Sequence, residues 1–273
     1  MKSKYLSVPY LLWMLIFTIV PLFLVVFFAL TDKNGNFTLD NLISVGKYSN
    51  VFIRSIYLGG LSTLLCLILG YPLAYIISKT PAKNQNIIIL LIMLPMWMNF
   101  LLRTYAWMTI LENNGIVNHL LSFLGFGPIN LINTQGAVVF GMVYNFLPYM
   151  ILPIYSVIVK IDHRIIEAAQ DLGAGKRKVF SKILLPLSIS GIISGVTMVF
   201  VPAVSTFIIS KMLGGGSSIL IGDLIEMQFL GSSYNPHLGS AISFVLMILI
   251  LICIGIMNQF DDIEIEDSPQ KLM

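Results

Sequence analysis

Residues 161–186 carry the most distinctive spacing of chemically useful side chains in this 273-residue sequence. Asp162 is placed to cap a short helix, and Gly173 supplies the left-handed backbone position at which such a helix ends. Within that helix, Glu167 offers a carboxylate to hydrogen-bond donors, and the two alanines that follow it allow another surface to approach closely. The pattern therefore predicts a short capped helix, which either contacts a partner protein or lies as an amphipathic helix at the membrane interface.

Groups with the spacing needed for catalysis are harder to find. His119, His163 and His237 fall in separate connections, isolated from spaced acids or metal ligands. Gly175 and Lys176 superficially suggest a phosphate-binding loop, but an arginine stands where Ser or Thr should follow. The sequence therefore argues against an intramembrane enzyme, and we do not expect this chain to hydrolyse ATP.

The composition places these residues in a membrane protein. Hydrophobic residues make up 57% of the chain and charged residues only 11%, whereas soluble domains carry roughly 25% charged residues. A surface so poor in charge must face lipid or protein. The formal net charge of +3 does not suggest binding to nucleic acid.

Six apolar runs are long enough to cross a membrane, because about 20 helical residues span the hydrocarbon core. Their approximate bounds are 8–30, 56–78, 87–111, 136–159, 187–210 and 238–258. Prolines inside nearly every run predict kinks. We therefore predict an all-α integral membrane protein with six transmembrane helices. Its predicted parts are a first helix with its external loop (1–55), a core (56–258) and an acidic tail (259–273).

The distribution of lysines and arginines predicts the orientation. Six spans place both termini on one side, and eleven of the sixteen Lys and Arg residues fall on that side. Four lie on the other side, and Arg103 lies within the third span. Because positive residues favour the cytoplasm, both termini are predicted to be cytoplasmic. The acidic residues near the C-terminus are expected to form a solvated tail.

The loop between the fourth and fifth spans matches a long spaced pattern, Glu167-Ala168-Ala169, three residues, Gly173, nine residues, then Ile183-x-Leu185-Pro186. This resembles the EAA signature of permease subunits of binding-protein-dependent ABC importers. The resemblance implies a type I importer permease (MetI-like) fold with a cytoplasmic coupling helix that docks into a groove of a separate ATPase subunit. The residues that it assigns to ATPase coupling are Glu167, Ala168, Ala169, Asp171 and Gly173.

Several stretches of the chain match a narrower family, namely Gly70 to Tyr75, Leu94 to Asn99 with Arg103 to Tyr105, Glu167 to Ala174, Leu220 to Gly222 and Gln228 to Leu230. They resemble the B-type permeases of spermidine/putrescine importers over about three quarters of the chain. The resemblance implies alternating-access import of polyamines across a bacterial cytoplasmic membrane. The implied partners are a second homologous permease, two copies of an ATPase that binds ATP and Mg, and an extracellular polyamine-binding protein. This chain itself is expected to hold no cofactor.

A pathway for polyamines raises an electrostatic question. Burying an ammonium group is costly unless it is paired, yet no Asp or Glu falls inside the six predicted spans. Either partner proteins supply the acids, or aromatic faces and polar groups contact the cations through weaker interactions of about 0.5 to 2 kcal/mol each. The candidates are Trp97, Asn99, Tyr144, Asn145, Tyr149, Ser205, Thr206 and Phe207. Packing or an interfacial belt is the alternative interpretation for the aromatic residues.

Charged residues near the spans have two interpretations each. Asn99, Arg103 and Trp107 recur every four residues, which predicts a shared helix face. We interpret Arg103 as a structural anchor bonded to carbonyls of adjacent helices, because a cation would repel a polyamine; a pathway or gate residue is the alternative. Asp223 and Glu226, on the outer side, are interpreted as a solvated face, with contact to a cation or a receptor as the alternative.

Two other transport functions stay open at this point. One is a permease for another solute, such as an oxyanion, ferric ion or thiamine. Such a permease would share the first of the matching stretches and the EAA loop. An ion channel or secondary transporter working alone would produce flux without ATP.

Overall fold

A computed structural model describes residues 8–267, apart from residues 217 and 232. Regular structure in that part is helical, with one isolated bridge between Thr31 and Phe37. This confirms the all-α prediction, because helices satisfy their own backbone hydrogen bonds inside lipid. The α-helices are Val8–Met14, Val20–Ala29, Asp40–Val45, Ser49–Lys79, Ala82–Met93, Phe100–Leu111, Ile116–Phe123, Gln135–Ile158, His163–Asp171, Lys176–Val179, Leu185–Leu187, Ile189–Ser205, Ile208–Leu213, Ile221–Leu230 and Pro236–Asp267, with π or 3-10 turns at Leu15–Ile19, Gly46–Tyr48, Leu94–Trp97 and Phe180–Leu184.

In the described part of the chain, four helices are long and apolar enough to cross a membrane, namely Pro9–Ala29, Asp40–Lys79, Gln135–Ile158 and Pro236–Met257. Two further spans are pairs of helices that meet at a sharp bend. Ala82–Trp97 meets Phe100–Phe123 at 88°, and Lys176–Leu187 meets Ile189–Ser205 at 63°. Counting each pair as one gives six, in agreement with the predicted number. We number the spans from first to sixth in chain order.

The third span departs from the prediction of one helix over 87–111. Pro95 lies in a 3-10 turn, after which Met98 and Asn99 adopt extended backbone with ψ values of 149° and 130°. Asn99 then begins a new helix by accepting hydrogen bonds from the backbone N–H groups of Leu101 and Leu102 at 2.8 and 3.4 Å. The break therefore combines a proline with a side-chain cap.

The fifth span is also interrupted, although its prediction covered 187–210. Ser188, with φ −105° and ψ 4°, separates the helix that contains Pro186 from the helix that starts at Ile189. That helix ends at Ser205, and Thr206 is extended with ψ 146°. The predicted end of the fifth span thus belongs to a separate short helix, Ile208–Leu213.

The second, fourth and fifth spans form the centre of the bundle. Glycines let their backbones approach closely: a Cβ on Gly59 would lie 2.7 Å from a Val204 side-chain carbon. A Cβ on Gly195 would lie 2.8 Å from the sulfur of Met150, and Met150 is itself fully buried. Without a hydrophobic driving force between helices in lipid, such small-residue contacts are what hold membrane helices together.

The first and sixth spans lie at the periphery of this chain. The most apolar part of the first span has no buried residue, and that of the sixth is 22% buried, compared with 61% for the fourth. These exposed apolar faces are suited to lipid or to another membrane protein. The last helix continues to Asp267 and so includes the start of the predicted acidic tail; residues 268–273 lie outside the described residues.

Candidate functional site

The helix His163–Asp171, which we call the loop helix, begins and ends as the sequence predicts. The Asp162 carboxylate accepts a hydrogen bond from the Arg164 backbone N–H at 3.0 Å. At the other end Gly173 has φ +82°, and its N–H donates to the Gln170 carbonyl at 2.9 Å. The Ala174 N–H donates to the Ala169 carbonyl, also at 2.9 Å, which completes a Schellman motif.

The loop helix has one face on the bundle and one in the open. Ile166 is 7% exposed and Ala169 is half-buried against the core. By contrast, Glu167, Ala168, Asp171 and Gly173 are exposed. Leu172 is 89% exposed, which is unusual for a large apolar side chain at the end of an amphipathic helix. The predicted coupling residues thus surround an accessible surface, with Ala169 at its inner edge.

A polar contact connects the segment after the loop helix to the second span. The hydroxyls of Tyr71 and Ser188 are 2.9 Å apart in a buried position, at the bend of the fifth span. The Tyr71 ring also packs edge-on against Phe180, with the ring centroids 5.6 Å apart. Val179 and Leu184 are buried in the core beside this contact. Movement of the loop segment would therefore be transmitted to two spans.

The predicted shared face of Asn99, Arg103 and Trp107 is wrong, because Asn99 caps the helix instead of lying on it. Arg103 is anchored within its own span and not to an adjacent helix as predicted: it is 8% exposed, and its Nη1 donates to the Pro95 carbonyl at 2.8 Å across the break. Its Nε is buried without a hydrogen-bond partner among the described residues. Trp97, beside the break, is 72% exposed.

The candidates on the fourth span occupy different environments. The Trp107 ring contacts Tyr144 and Phe140 edge-on, at centroid distances of 5.1 and 4.7 Å. Asn145 is 2% exposed; its amide donates to the Gly141 carbonyl, and its Oδ1 lacks a partner in the described region. Tyr149 is 39% exposed. Among the described residues, neither hydrogen bonds nor ring contacts join this group to Trp97 or Asn99.

The candidates on the fifth span lie at its second break. The Ser205 hydroxyl donates to the Val201 carbonyl at 3.0 Å, Thr206 is buried, and Phe207 is 38% exposed. Gly222, at the start of the helix Ile221–Leu230, packs directly on this break, because a Cβ there would clash with the carbonyls of Ser205 and Thr206. The break is therefore held against the connection between the fifth and sixth spans.

The interpretation of Asp223 as part of a solvated face is wrong. Asp223 is 7% exposed, and one of its carboxylate oxygens accepts the Leu220 N–H at 2.8 Å. Burial raises the pKa of its carboxyl above the ordinary value, and the Leu220 N–H and the nearby Ser210 hydroxyl oppose that rise. Glu226 is paired with Lys211, whose Nζ lies 2.8 Å from a carboxylate oxygen.

Comparison with known proteins identifies the family of this helical arrangement. The family described as binding-protein-dependent transport system inner membrane component matches residues 1–261. The chain belongs to this family.

Individual relatives are similar over nearly the whole chain. The Haemophilus influenzae spermidine/putrescine transport system permease protein PotB is 37% identical over 89% of this chain and 88% of its own length. The Escherichia coli PotB is 36% identical over 87% of this chain and 90% of its own length. Membership and these relatives make the chain a multi-pass permease subunit of the cytoplasmic membrane.

Solved structures agree on the fold. A permease chain in the crystal structure of a bacterial ABC transporter that imports the acidic polysaccharide alginate superposes with a TM-score of 0.81 at 17% identity, covering 94% of this chain and 93% of that one. The same transporter in complex with its alginate pentasaccharide-bound periplasmic protein gives 0.80, covering 94% and 92%. The predicted MetI-like ABC permease fold is confirmed.

Sequence reasoning missed two features of the site. The hydrogen bond between Tyr71 and Ser188 joins residues 117 positions apart, and neither has a local pattern that reveals it. Gly222 lies in a stretch that the resemblance includes, but its close contact with the fifth-span break depends on how the chain folds back.

Proposed function

We propose that this chain is a permease subunit of an ATP-driven ABC importer that moves polyamines, such as spermidine and putrescine, into the cell by alternating access. The observation that carries the substrate class is the identity of 36–37% to two PotB permeases over about nine tenths of the chain. The observation that supports ATP coupling is the exposed face of the loop helix, which carries Glu167, Ala168 and Leu172.

The proposed partners follow from this arrangement. Two ATPase subunits bind ATP and Mg, and one of them receives the loop helix; a second permease and an extracellular polyamine-binding protein complete the system. One solved neighbour is an alginate transporter in complex with its substrate-bound periplasmic protein, which supports a receptor of that kind. In this proposal both termini and the loop helix are cytoplasmic, in accord with the excess of Lys and Arg on that side.

The proposed mechanism uses the bends. Closure of the ATPase pair pushes on the loop helix, and the segment Lys176–Leu187 passes the displacement to the bend at Ser188. The contact between Tyr71 and Ser188 carries it on to the second span. Since breaks in the third and fifth spans interrupt the helical hydrogen bonds, the helix arms can reorient without unwinding a continuous helix.

The proposed pathway contacts cations without acids in the six apolar runs. Trp107 with Tyr144 presents aromatic edges and faces at the middle of the bundle, and Asn145 has an unused carbonyl oxygen. Contacts of this strength hold an amine weakly enough to release it, as transport requires. The pathway residues Trp97, Asn99, Tyr149, Ser205, Thr206 and Phe207 remain part of this proposal.

Competition uptake tests the substrate class. Cells that lack their own polyamine uptake would express the complete system, and import of labelled spermidine would be measured with excess unlabelled putrescine, spermidine, sulfate or thiamine. We expect both polyamines to compete and the other solutes to have no effect. Competition by sulfate or thiamine, with none by polyamines, would assign the permease to another solute.

A further inference from the structure

A cavity of about 270 Å³ lies between the short helix Ile208–Leu213 and the helix Ile221–Leu230. Both helices belong to the connection between the fifth and sixth spans, so the cavity is at the end of the bundle opposite the loop helix. Its polar lining consists of Ser210, Lys211, Ser218, Asp223 and Glu226. None of the pathway candidates lines it, but it adjoins the break of the fifth span at Ser205, Thr206 and Phe207.

Two of the lining side chains are buried with unused hydrogen-bonding capacity. Asp223 is 7% exposed, and its Oδ1 has no hydrogen-bond partner within the described part of the chain. The Ser218 hydroxyl, 1% exposed, is likewise unpartnered there. The Ser210 hydroxyl is already committed, because it donates to the Phe207 carbonyl at 2.9 Å. A buried carboxylate oxygen without a donor is costly, and a native structure that keeps one requires an explanation.

The charges around the cavity do not balance. Lys211 binds both carboxylate oxygens of Glu226, at 2.8 and 3.0 Å. This pair neutralises itself, so an ionised Asp223 carboxylate adds one net negative charge. Its hydrogen-bond donor is the Leu220 N–H, and the nearby Ser210 hydroxyl also lowers its pKa. A single additional cation would neutralise the cluster of Lys211, Glu226 and Asp223. Its N–H groups could donate to the unpartnered oxygens of Asp223 and Ser218. The Lys211 ammonium also shows that a primary ammonium fits among these residues.

We infer that this cavity is a binding site for one primary ammonium group of the cargo, held by Asp223 Oδ1 and Ser218 Oγ beside the Lys211–Glu226 pair. The inference rests on the proposed function, and it gives that function a first contact for the polyamine before the apolar runs, which contain no Asp or Glu. The site combines one full charge pair with a hydroxyl acceptor, so it is specific for a small hydrogen-bonding cation. Lys211 limits its strength by repelling the cargo charge.

Variants with opposite expected effects test the site. The purified complex of this permease with its partner permease and ATPase, without the receptor, would be placed in nanodiscs, and binding of labelled spermidine measured by equilibrium dialysis. Asp223→Asn preserves an oxygen for the Leu220 N–H but removes the charge, and we expect the Kd to rise about tenfold. Lys211→Met removes the competing cation, and we expect the Kd to fall severalfold.

Two further variants serve as a second test of the site and as a control. Ser218→Ala should raise the Kd severalfold, and it carries the test if Asp223→Asn does not assemble. Asp40→Asn is the matched control, because Asp40 is an exposed acid at the start of the second span, at the same end of the bundle. It should leave the Kd unchanged.

The outcomes separate this inference from the proposed function. Receptor-dependent spermidine uptake by the unsubstituted transporter tests the function alone. If that uptake is present while Asp223→Asn, Ser218→Ala and Lys211→Met all bind spermidine like the unsubstituted complex, the ammonium site is wrong and the function stands. If Asp223→Asn and Lys211→Met weaken binding equally, their role is structural and the inference also fails. Absence of spermidine uptake by the unsubstituted transporter overturns the proposed function itself.

Discussion

Gly173 is the residue whose backbone most directly fixes the shape of the loop helix. Its φ of +82° lies in the left-handed region, where a β-branched residue is strained. We therefore expect Gly173→Val to distort the end of the loop helix, at a cost of about 1 to 2 kcal/mol. The variant should reach the membrane and lose most of its association with the ATPase, as measured by co-purification.

Gly175→Val is the matched control for this prediction. Gly175 lies two residues further on, has φ −66°, and a Cβ there meets no atom within 4 Å. It should co-purify with the ATPase at the unsubstituted level. Equal co-purification by both variants would show that the left-handed turn does not position the docking surface.

The Tyr71 hydroxyl gives a second prediction for a single residue. Tyr71→Phe keeps the ring contact with Phe180 and removes the hydrogen bond to Ser188. A buried hydrogen bond contributes about 1 kcal/mol, so the fold should survive. We expect ATPase association to be normal and the number of spermidine molecules imported per ATP hydrolysed to fall.

Tyr75→Phe provides the comparison, one helical turn away on the same span. Tyr75 is half-buried, and its hydroxyl makes no hydrogen bond with any described residue. For Tyr75→Phe, the number of spermidine molecules imported per ATP hydrolysed should match that of the unsubstituted transporter. A Tyr71→Phe ratio that also matches would remove this contact from the proposed transmission path.

At the scale of elements, the bend of the third span depends on the Asn99 cap. Asn99→Ala removes the acceptor for two backbone N–H groups, which should cost about 1 kcal/mol and lower the Tm of the detergent-solubilised complex by a few degrees. Asn99→Asp retains the acceptor and should keep the Tm. If the two variants lower the Tm equally, the cap does not hold the bend.

The elements differ in how far the sequence could predict them. The loop helix was predictable because Asp162 and Gly173 act within a few residues, and its apolar residue Ile166 faces inward as the period requires. The apolar runs predicted six spans, since length and hydropathy depend only on local composition. The exact break after Pro95 was not predictable, because it depends on extended backbone at two non-proline residues.

The candidate site shows the same division. The exposed positions of Glu167, Ala168 and Asp171 follow from helical periodicity once the inner face is known. Asp223 was assigned to a solvated face because it lies one helical turn from a second acid, Glu226. Its burial results from the fold-back of the fifth-to-sixth connection onto the fifth span. Contacts between residues far apart in sequence, such as Tyr71 with Ser188, required the structure.

At the scale of the whole molecule, this chain forms only part of a transport pathway. The first and sixth spans keep broad apolar faces exposed, and the six apolar runs of the sequence contain no carboxylate. Both features agree with a permease that works beside a second permease and receives its cargo from a receptor. In the proposed function the energy comes from an ATPase that docks on the loop helix, so we expect spermidine accumulation to depend on that ATPase.

Reconstitution of the complete transporter in proteoliposomes tests this account most directly. Receptor and labelled spermidine would be supplied outside and ATP inside, and accumulated label measured for the unsubstituted, Gly173→Val and Gly175→Val transporters. We predict accumulation that requires hydrolysable ATP, is lost in Gly173→Val and is kept in Gly175→Val. Accumulation without ATP or without the ATPase subunits, or normal accumulation by Gly173→Val, would contradict the account.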